Sequence, residues 1–424
     1  MTAQNPGAAA PSFTILALRV YLPFAAAYFL SYLYRTVNAV VGPVIADELH
    51  LSAGNLGLIS SAYFIMFAGI QLPLGVALDR FGPRRVQGTL LVAAAAGAAM
   101  FAMADSVAGL VIGRTLIGMG VAAGLMGALK IFTLWFPPER WPLMTGLHMA
   151  AGGLGSLVAT GPTQAALSIT TWHGLFFWLA GATLAVAVVI WTVVPEKPGS
   201  QAPGSLADQF RDVGRILRDG YFWRLVPVFT AQQCAYIGIQ TLWIGPWLRD
   251  VGGEGEAMRA VSMTWTAGAM ALGFLSSGFV AGALSRRGIG NFATATGGIA
   301  LFIVAHAIVT FCPPSNPLWI WIPFGFLGTF VIVYFPVLTQ AFPLELSGRV
   351  TTSVNAFMFA SIFVAQWLMG VILDMWPRTA SGGYDPRGYT YAFGLFVVLE
   401  VVSLAWLLVS RARPWTERER RPAA

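Results

Sequence analysis

Three cations interrupt apolar runs of this 424-residue chain, and they are where chemistry is most legible: Arg35, Arg114 and Lys130. An ionisable side chain within a membrane span costs several kcal/mol unless water or a partner shelters it, so each is a functional candidate by default. Arg35 lies deep in YFLSYLYRTVNAVVGP, with Tyr28, Tyr32 and Asn38 at or near helical spacing from it. A guanidinium is planar and offers two parallel donors to a carboxylate or a similar anion. Arg114 and Lys130 share a later run and stand sixteen residues apart, about 24 Å along a helix axis. They can line one wall but cannot grip one small anion together.

Few acids oppose these cations. Glu400 falls near the middle of the last run, and Asp374 ends the one before it. The N-terminal half therefore carries three deep cations and no deep acid, which gives its interior a positive potential. The simplest ligand for such a field is an anion. His148 and His306 fall mid-run, and histidine titrates near neutral pH. His148 and Glu400 are the candidate proton-coupling groups. The run PVFTAQQCAYIGIQTLWIGPW puts Gln233, Tyr236 and Gln240 on one face, continued by Trp243 and Trp247. A polar face on a membrane helix turns to protein or water, so the amides and Tyr236 are expected at a cavity; the tryptophans are cavity or interface-belt residues. Tyr334 and Asn355 are their expected counterparts in the later runs.

Over the whole chain, 57% of the residues are apolar and 10% charged, where a soluble domain carries about a quarter charged. About 20 apolar residues span a bilayer. The runs predict twelve spans: 18–46, 52–78, 84–104, 107–135, 141–168, 172–194, 222–248, 256–283, 290–311, 317–341, 350–375 and 389–410. The fold class is an all-α membrane protein of two six-helix bundles: 1–194, a linker 195–221, and 222–424 with its tail. The first 14 residues lack a basic leader, so the first span is expected to be uncleaved. Within the linker, Leu206, Phe210, Val213, Ile216 and Leu217 recur at helical spacing between Asp208, Arg211, Arg215 and Arg218, which predicts an amphipathic surface helix.

The net charge of +7 is topological rather than a nucleic-acid footprint. Arg249, Arg259, Arg378 and Arg387 fall on one side of the predicted spans. The loop residues Arg19, Arg80, Arg84, Arg85, Arg140, Lys197, Arg211, Arg215, Arg218, Arg224, Arg286, Arg287 and Arg349 fall on the other, with Arg411, Arg413, Arg418, Arg420 and Arg421 of the tail. That asymmetry puts both termini in the cytoplasm of a plasma membrane, the inner one in a Gram-negative cell. Cys234 and Cys312 form neither a disulfide framework nor a metal spacing. The glycines of AAGGLGSLVATGP follow no strand and read as close helix packing, not a phosphate loop. With no P-loop, metal cluster or nucleophile–base set, enzyme and ATP-driven readings fail, and no cofactor is expected.

The halves are duplicated. Phe136-Pro137 then Glu139 match Phe342-Pro343 then Glu345, each after the fourth span of its half. GVALDRFGPRR at 75–85 has a weaker echo in GFVAGALSRRG at 278–288, where Gly282 stands in place of the acid. The first copy resembles the loop between helices 2 and 3 of the major facilitator superfamily, with Gly75, Asp79, Arg80, Gly82, Arg84 and Arg85 at that motif's spacing. GRTLIGMGVAAG from Gly113 is a second, less specific likeness. The resemblance implies a monomeric secondary carrier working by alternating access in the lipid bilayer, with symport or antiport of a small molecule and protons. It also implies a gating latch in which Asp79 faces the start of the eleventh helix near Thr351 and the arginines meet acids of the opposite half. Tyrosines followed by Arg35 are similar to the superfamily's organic-anion and organophosphate carriers. Those tend to carry a second cation in the C-terminal half; none lies deep there in this chain, which tells against a phosphate ester. The nitrate carriers' Asn-containing Gly-rich pattern is missing too. The alternative is a proton-driven exporter of drugs or amphipathic metabolites, whose pocket the 13% aromatic content and 14 methionines would suit. A transporter-like receptor or scaffold would need more surface than these short loops offer.

Overall fold

In hydrocarbon every backbone polar group must be paired within the protein, so apolar runs of this length become helices. A computed structural model describes residues 13–196, 206–343 and 346–415. Lys197 and the rest of linker residues 197–205, Glu345 and the tail arginines Arg418, Arg420 and Arg421 lie outside the described residues, among which there is no strand.

The N-terminal bundle begins with α1, which runs Leu22–Thr36 and resumes after Val37 as Asn38–Glu48. Helix α2 is Ala53–Phe81 and α3 is Pro83–Ala102. Helix α4 comes in two pieces, Val107–Val121 and Gly124–Trp135. Helix α5 is Trp141–Val158 with the extension Gly161–Leu167, and α6 is Trp172–Val193. The linker helix Leu206–Leu217 follows, as its periodicity predicts.

In the C-terminal bundle α7 is Gly220–Gly238, a π-helical turn Ile239–Trp243, then Ile244–Asp250. Helix α8 is Glu256–Ser285 and α9 is Asn291–Phe311. Helix α10 is Leu318–Leu327, a 3-10 turn Phe330–Val333, and Tyr334–Gln340. Helix α11 is Ser347–Leu373 and α12 is Pro386–Val409. Eleven of these helices are long and apolar enough to cross a membrane by themselves. The other is α7, whose amides make it more polar. Phe279, Trp319, Leu408 and Val409 stand exposed on the outer faces, as lipid-facing side chains do.

The bundles pack along α2 with α11 and along α5 with α8. They are tied together at the end remote from both termini. The backbone N–H groups of Ala53 and Gly54 donate to the Asp374 carboxylate at 2.8 and 2.7 Å. Arg378 donates to the Leu51 carbonyl at 2.9 Å, and the Gly161 N–H to Thr264 at 3.1 Å. Gln164 bonds Glu256 there as well. Helix α5 reaches α1 because Gly155 has no side chain: a Cβ there would stand 2.2 Å from the Phe29 carbonyl oxygen. Trp243 and Trp247 are buried, not interfacial, and the Trp243 indole donates to the Gln366 carbonyl at 3.1 Å.

The loop motif folds as a turn at Gly82, whose φ of +80° suits a residue without Cβ. Its charges pair differently from the expected latch. Asp79 accepts from Lys130 of its own bundle at 2.8 Å, a partner the expected latch does not include. Arg84 and Arg85 lie 3.7 and 2.7 Å from Glu196 at the start of the linker, rather than meeting an acid of the C-terminal bundle. Arg80 lies over the Phe81 ring, and Gly75 is part-buried within α2. Near the start of α11, Arg349 lies 3.1 Å from Asp212 of the linker helix.

Candidate functional site

Between the bundles, midway along the helices, lies a cavity of about 140 Å³. Four helices lose regularity at its level. Helix α1 is interrupted at Val37, α4 at Ala122 and Ala123, α7 by its π turn and α10 by Gly328 and the 3-10 turn. Thr36, Ala122, Gln240, Thr241 and Gly328 of those segments line the cavity. Irregular backbone at membrane depth is tolerated where it faces protein or a wet cavity, and carriers place their sites at such discontinuities.

Arg35 lines it. Among the described residues it is the one charged side chain in the lining, which holds no Asp, Glu, Lys or His. Aromatic faces hold the guanidinium instead of a carboxylate. Its central carbon lies 4.4 Å from the Tyr32 ring centre, 5.6 Å from Phe67, 5.4 Å from Phe359 and 6.0 Å from Tyr63. Phe359 belongs to α11, so the cage spans both bundles. Ring quadrupoles attract the cation without neutralising its charge. Arg35 is 9% exposed, and its Nε has no hydrogen-bond partner. The Tyr63 hydroxyl is steadied by Ser31, donating to its carbonyl at 3.3 Å.

The facing wall is polar but uncharged. Gln233 donates to the Gly328 carbonyl at 3.3 Å and to Gln232 at 3.0 Å. The Tyr236 hydroxyl donates to the Gly325 carbonyl at 3.0 Å, and Gln240 reaches the Met270 sulfur at 3.3 Å. Asn355 completes that side. Of the residues expected at the site, Tyr32, Arg35, Gln233, Tyr236, Gln240 and Asn355 line this one cavity.

The other expected site residues stand elsewhere. Arg114 is buried between Phe101 and Phe176 and donates to the Tyr34 carbonyl at 2.8 Å, just before the interruption of α1. A broken helix frees carbonyls, and this cation satisfies one of them. Lys130 is committed to Asp79. Asn38 is buried beyond the interruption of α1, outside the lining, and Tyr334 packs against Phe292. His148 lies behind Tyr28, its ring stacked 4.2 Å from the tyrosine's and its Nε2 3.1 Å from the Gly124 carbonyl. Glu400 meets His306 at 3.0 Å between α12 and α9, both fully buried and away from the cavity.

Sequence reasoning missed the cage residues Tyr63, Phe67 and Phe359, and with them Gln71. Tyr63, Phe67 and Gln71 recur at four-residue spacing on α2, a stripe that helical periodicity could have found. Met126, Met149, Met270 and Met358 also line the cavity, adaptable apolar surface beside the charge.

Comparison with known proteins places this geometry. Over 223 residues the chain is 26% identical to the hexuronate transporter of Escherichia coli K12, covering 48% of this chain and 51% of that protein. It is 27% identical over 167 residues to a protein of Cupriavidus necator named "Probable sulfoacetate transporter SauU", covering 39% and 38%. The chain thus spans about half the length, or less, of these curated relatives. Among solved structures it is similar to a bacterial homologue of the human lysosomal transporter Spinster in an inward-facing, unoccupied conformation. The TM-score is 0.73 at 18% identity, with 98% of this chain and 100% of that chain covered, which speaks for the fold alone. The family model of the Major Facilitator Superfamily matches residues 24–365, and the chain belongs to that superfamily.

Proposed function

We propose that this chain is a secondary transporter of a small organic anion, bound by Arg35 in the cavity. The observation that carries the reading is a guanidinium caged by rings and unopposed by any carboxylate in the lining among the described residues. A carboxylate or sulfonate entering the cavity would meet two parallel donors in a desolvated setting, where charge-assisted hydrogen bonds are strong. The amides of Gln233, Gln240 and Asn355 would serve hydroxyl groups or further oxygens of the cargo. The transported anions named for the two relatives, a hexuronate and sulfoacetate, belong to this chemical class.

Alternating access follows from the two-bundle fold. The closed end is the one remote from the termini, so the site belongs to a state facing the terminal end. The arginines at that end, Arg80, Arg84, Arg85, Arg140, Arg286 and Arg287, support a cytoplasmic side there by the positive-inside rule. Proton coupling through His148 or Glu400 is not carried forward, because neither side chain opens on the cavity.

The test is flux in proteoliposomes against D-glucuronate, D-galacturonate and sulfoacetate, with wild type and Arg35→Gln. Wild type moves at least one of them, and Arg35→Gln, eluting as wild type does from size exclusion, loses at least tenfold in rate, the worth of about one charge-assisted pair. Extrusion of ethidium that persists unchanged in Arg35→Gln would instead favour the exporter of amphipathic compounds and contradict this reading.

A further inference from the structure

An alternating carrier must pass through a state closed at both ends, and in that state the fixed charge of the site is cut off from water. For a caged arginine this raises a specific problem on the return stroke. Cargo supplies a counter-charge on the way across. On the way back, empty, the guanidinium needs another partner, or it crosses the closed state as an unpaired buried charge, which is strongly unfavourable. A carboxylate beside the cation would solve this by pairing with it when cargo leaves and taking up a proton when cargo binds.

Among the described residues, the groups around Arg35 provide no such acid. Tyr28 and Tyr32 come from α1, Tyr63 from α2 and Tyr236 from α7. A phenol ordinarily ionises near pH 10 and is no counter-ion at neutral pH. From α5 the nearest titratable group is His148, screened by the Tyr28 ring at 4.2 Å, and a histidine can only add positive charge. From α4 comes Arg114, another cation, turned to the Tyr34 carbonyl. Helices α10 and α11 bring no ionisable side chain to the lining. Asp79, outside the lining, is engaged by Lys130.

Resting on the anion reading above, we propose that the carrier is an obligatory anion exchanger: Arg35 reorients only when an anion neutralises it, in both directions. The cargo carried one way is thereby matched by a like-charged anion carried the other way. The exchange is electroneutral for anions of equal charge and takes no drive from a proton gradient.

The experiment uses purified full-length protein in proteoliposomes, with membrane potential clamped by potassium and valinomycin. The probe is radiolabelled D-glucuronate, or the panel anion that wild type moves if it is another. Uptake into vesicles loaded with the same unlabelled anion should exceed uptake into anion-free vesicles by roughly a hundredfold, the order set by leaving a buried charge unpaired. An imposed inward proton gradient should leave both rates unchanged. Equal rates with and without internal anion, or net uptake accelerated by the proton gradient, overturn the proposal. Absence of flux with the entire panel under both conditions overturns the anion reading on which it stands.

A second variant keeps the charge argument separately falsifiable. Gln71 lines the cavity one turn beyond Phe67, the ring 5.6 Å from the guanidinium. Gln71→Glu supplies the missing acid at nearly constant volume. Net uptake into anion-free vesicles should then approach the exchange rate and rise as pH falls. A Gln71→Glu protein that still exchanges but shows net uptake as slow as wild type contradicts the charge explanation.

Discussion

The charges within the apolar runs fall into two kinds, and what each one faces decides which. Arg35 faces rings and open volume; Arg114 faces a carbonyl; Lys130 and Glu400 face partners of opposite or titratable character. The sequence makes all four visible, because a charge inside an apolar run is conspicuous. It does not show which neighbours they meet, since His306 and Glu400 are 94 residues apart and the Lys130–Asp79 pair spans 51. Those pairings arise from helix packing. The structure therefore assigns Glu400 to holding α9 against α12. Glu400→Ala leaves His306 buried without its partner and should lower stability by about 3 kcal/mol, read as an earlier thermal unfolding in detergent. The affinity for the transported anion should stay within twofold. A stable Glu400→Ala protein that has lost anion binding would contradict this assignment.

At the level of elements, spans and interruptions differ in how they can be read. Spans were legible because hydrocarbon enforces helix over the whole apolar run, and the predicted segments coincide with α1 to α12 to within a few residues at most ends. The interruptions were not. Pro43, Pro227 and Pro323 lie inside helices that continue through them, while α4 breaks at two alanines. Neighbouring helices and the cavity, rather than local propensity, set those positions. Glycine packing was legible as composition but not as register. Gly155 touches the Phe29 carbonyl, whereas nothing lies within 4 Å of a Cβ built on Gly69. Gly155→Ala should cost about 1–3 kcal/mol by overpacking α1 against α5, and Gly69→Ala should be neutral or slightly stabilising. Parallel thermal unfolding of the two variants checks the contrast; equal melting would mean that α1 yields at no cost.

For the whole molecule, the bundles meet through hydrogen bonds at the end away from the termini, and among the described residues the cavity reaches one charged group. This asymmetry makes the account one of a single-cation carrier caught facing one side. Its central claim is that the cation is there to bind cargo rather than to hold the bundles together. Isothermal titration of D-glucuronate, D-galacturonate and sulfoacetate into purified wild type and Arg35→Gln tests it most directly. The account predicts binding of at least one anion by wild type and a dissociation constant raised at least tenfold in Arg35→Gln, with thermal unfolding little changed, as a lost charge-assisted hydrogen bond implies. Equal affinities in the two proteins, or equal binding of the uncharged sugar alcohol sorbitol, would contradict it.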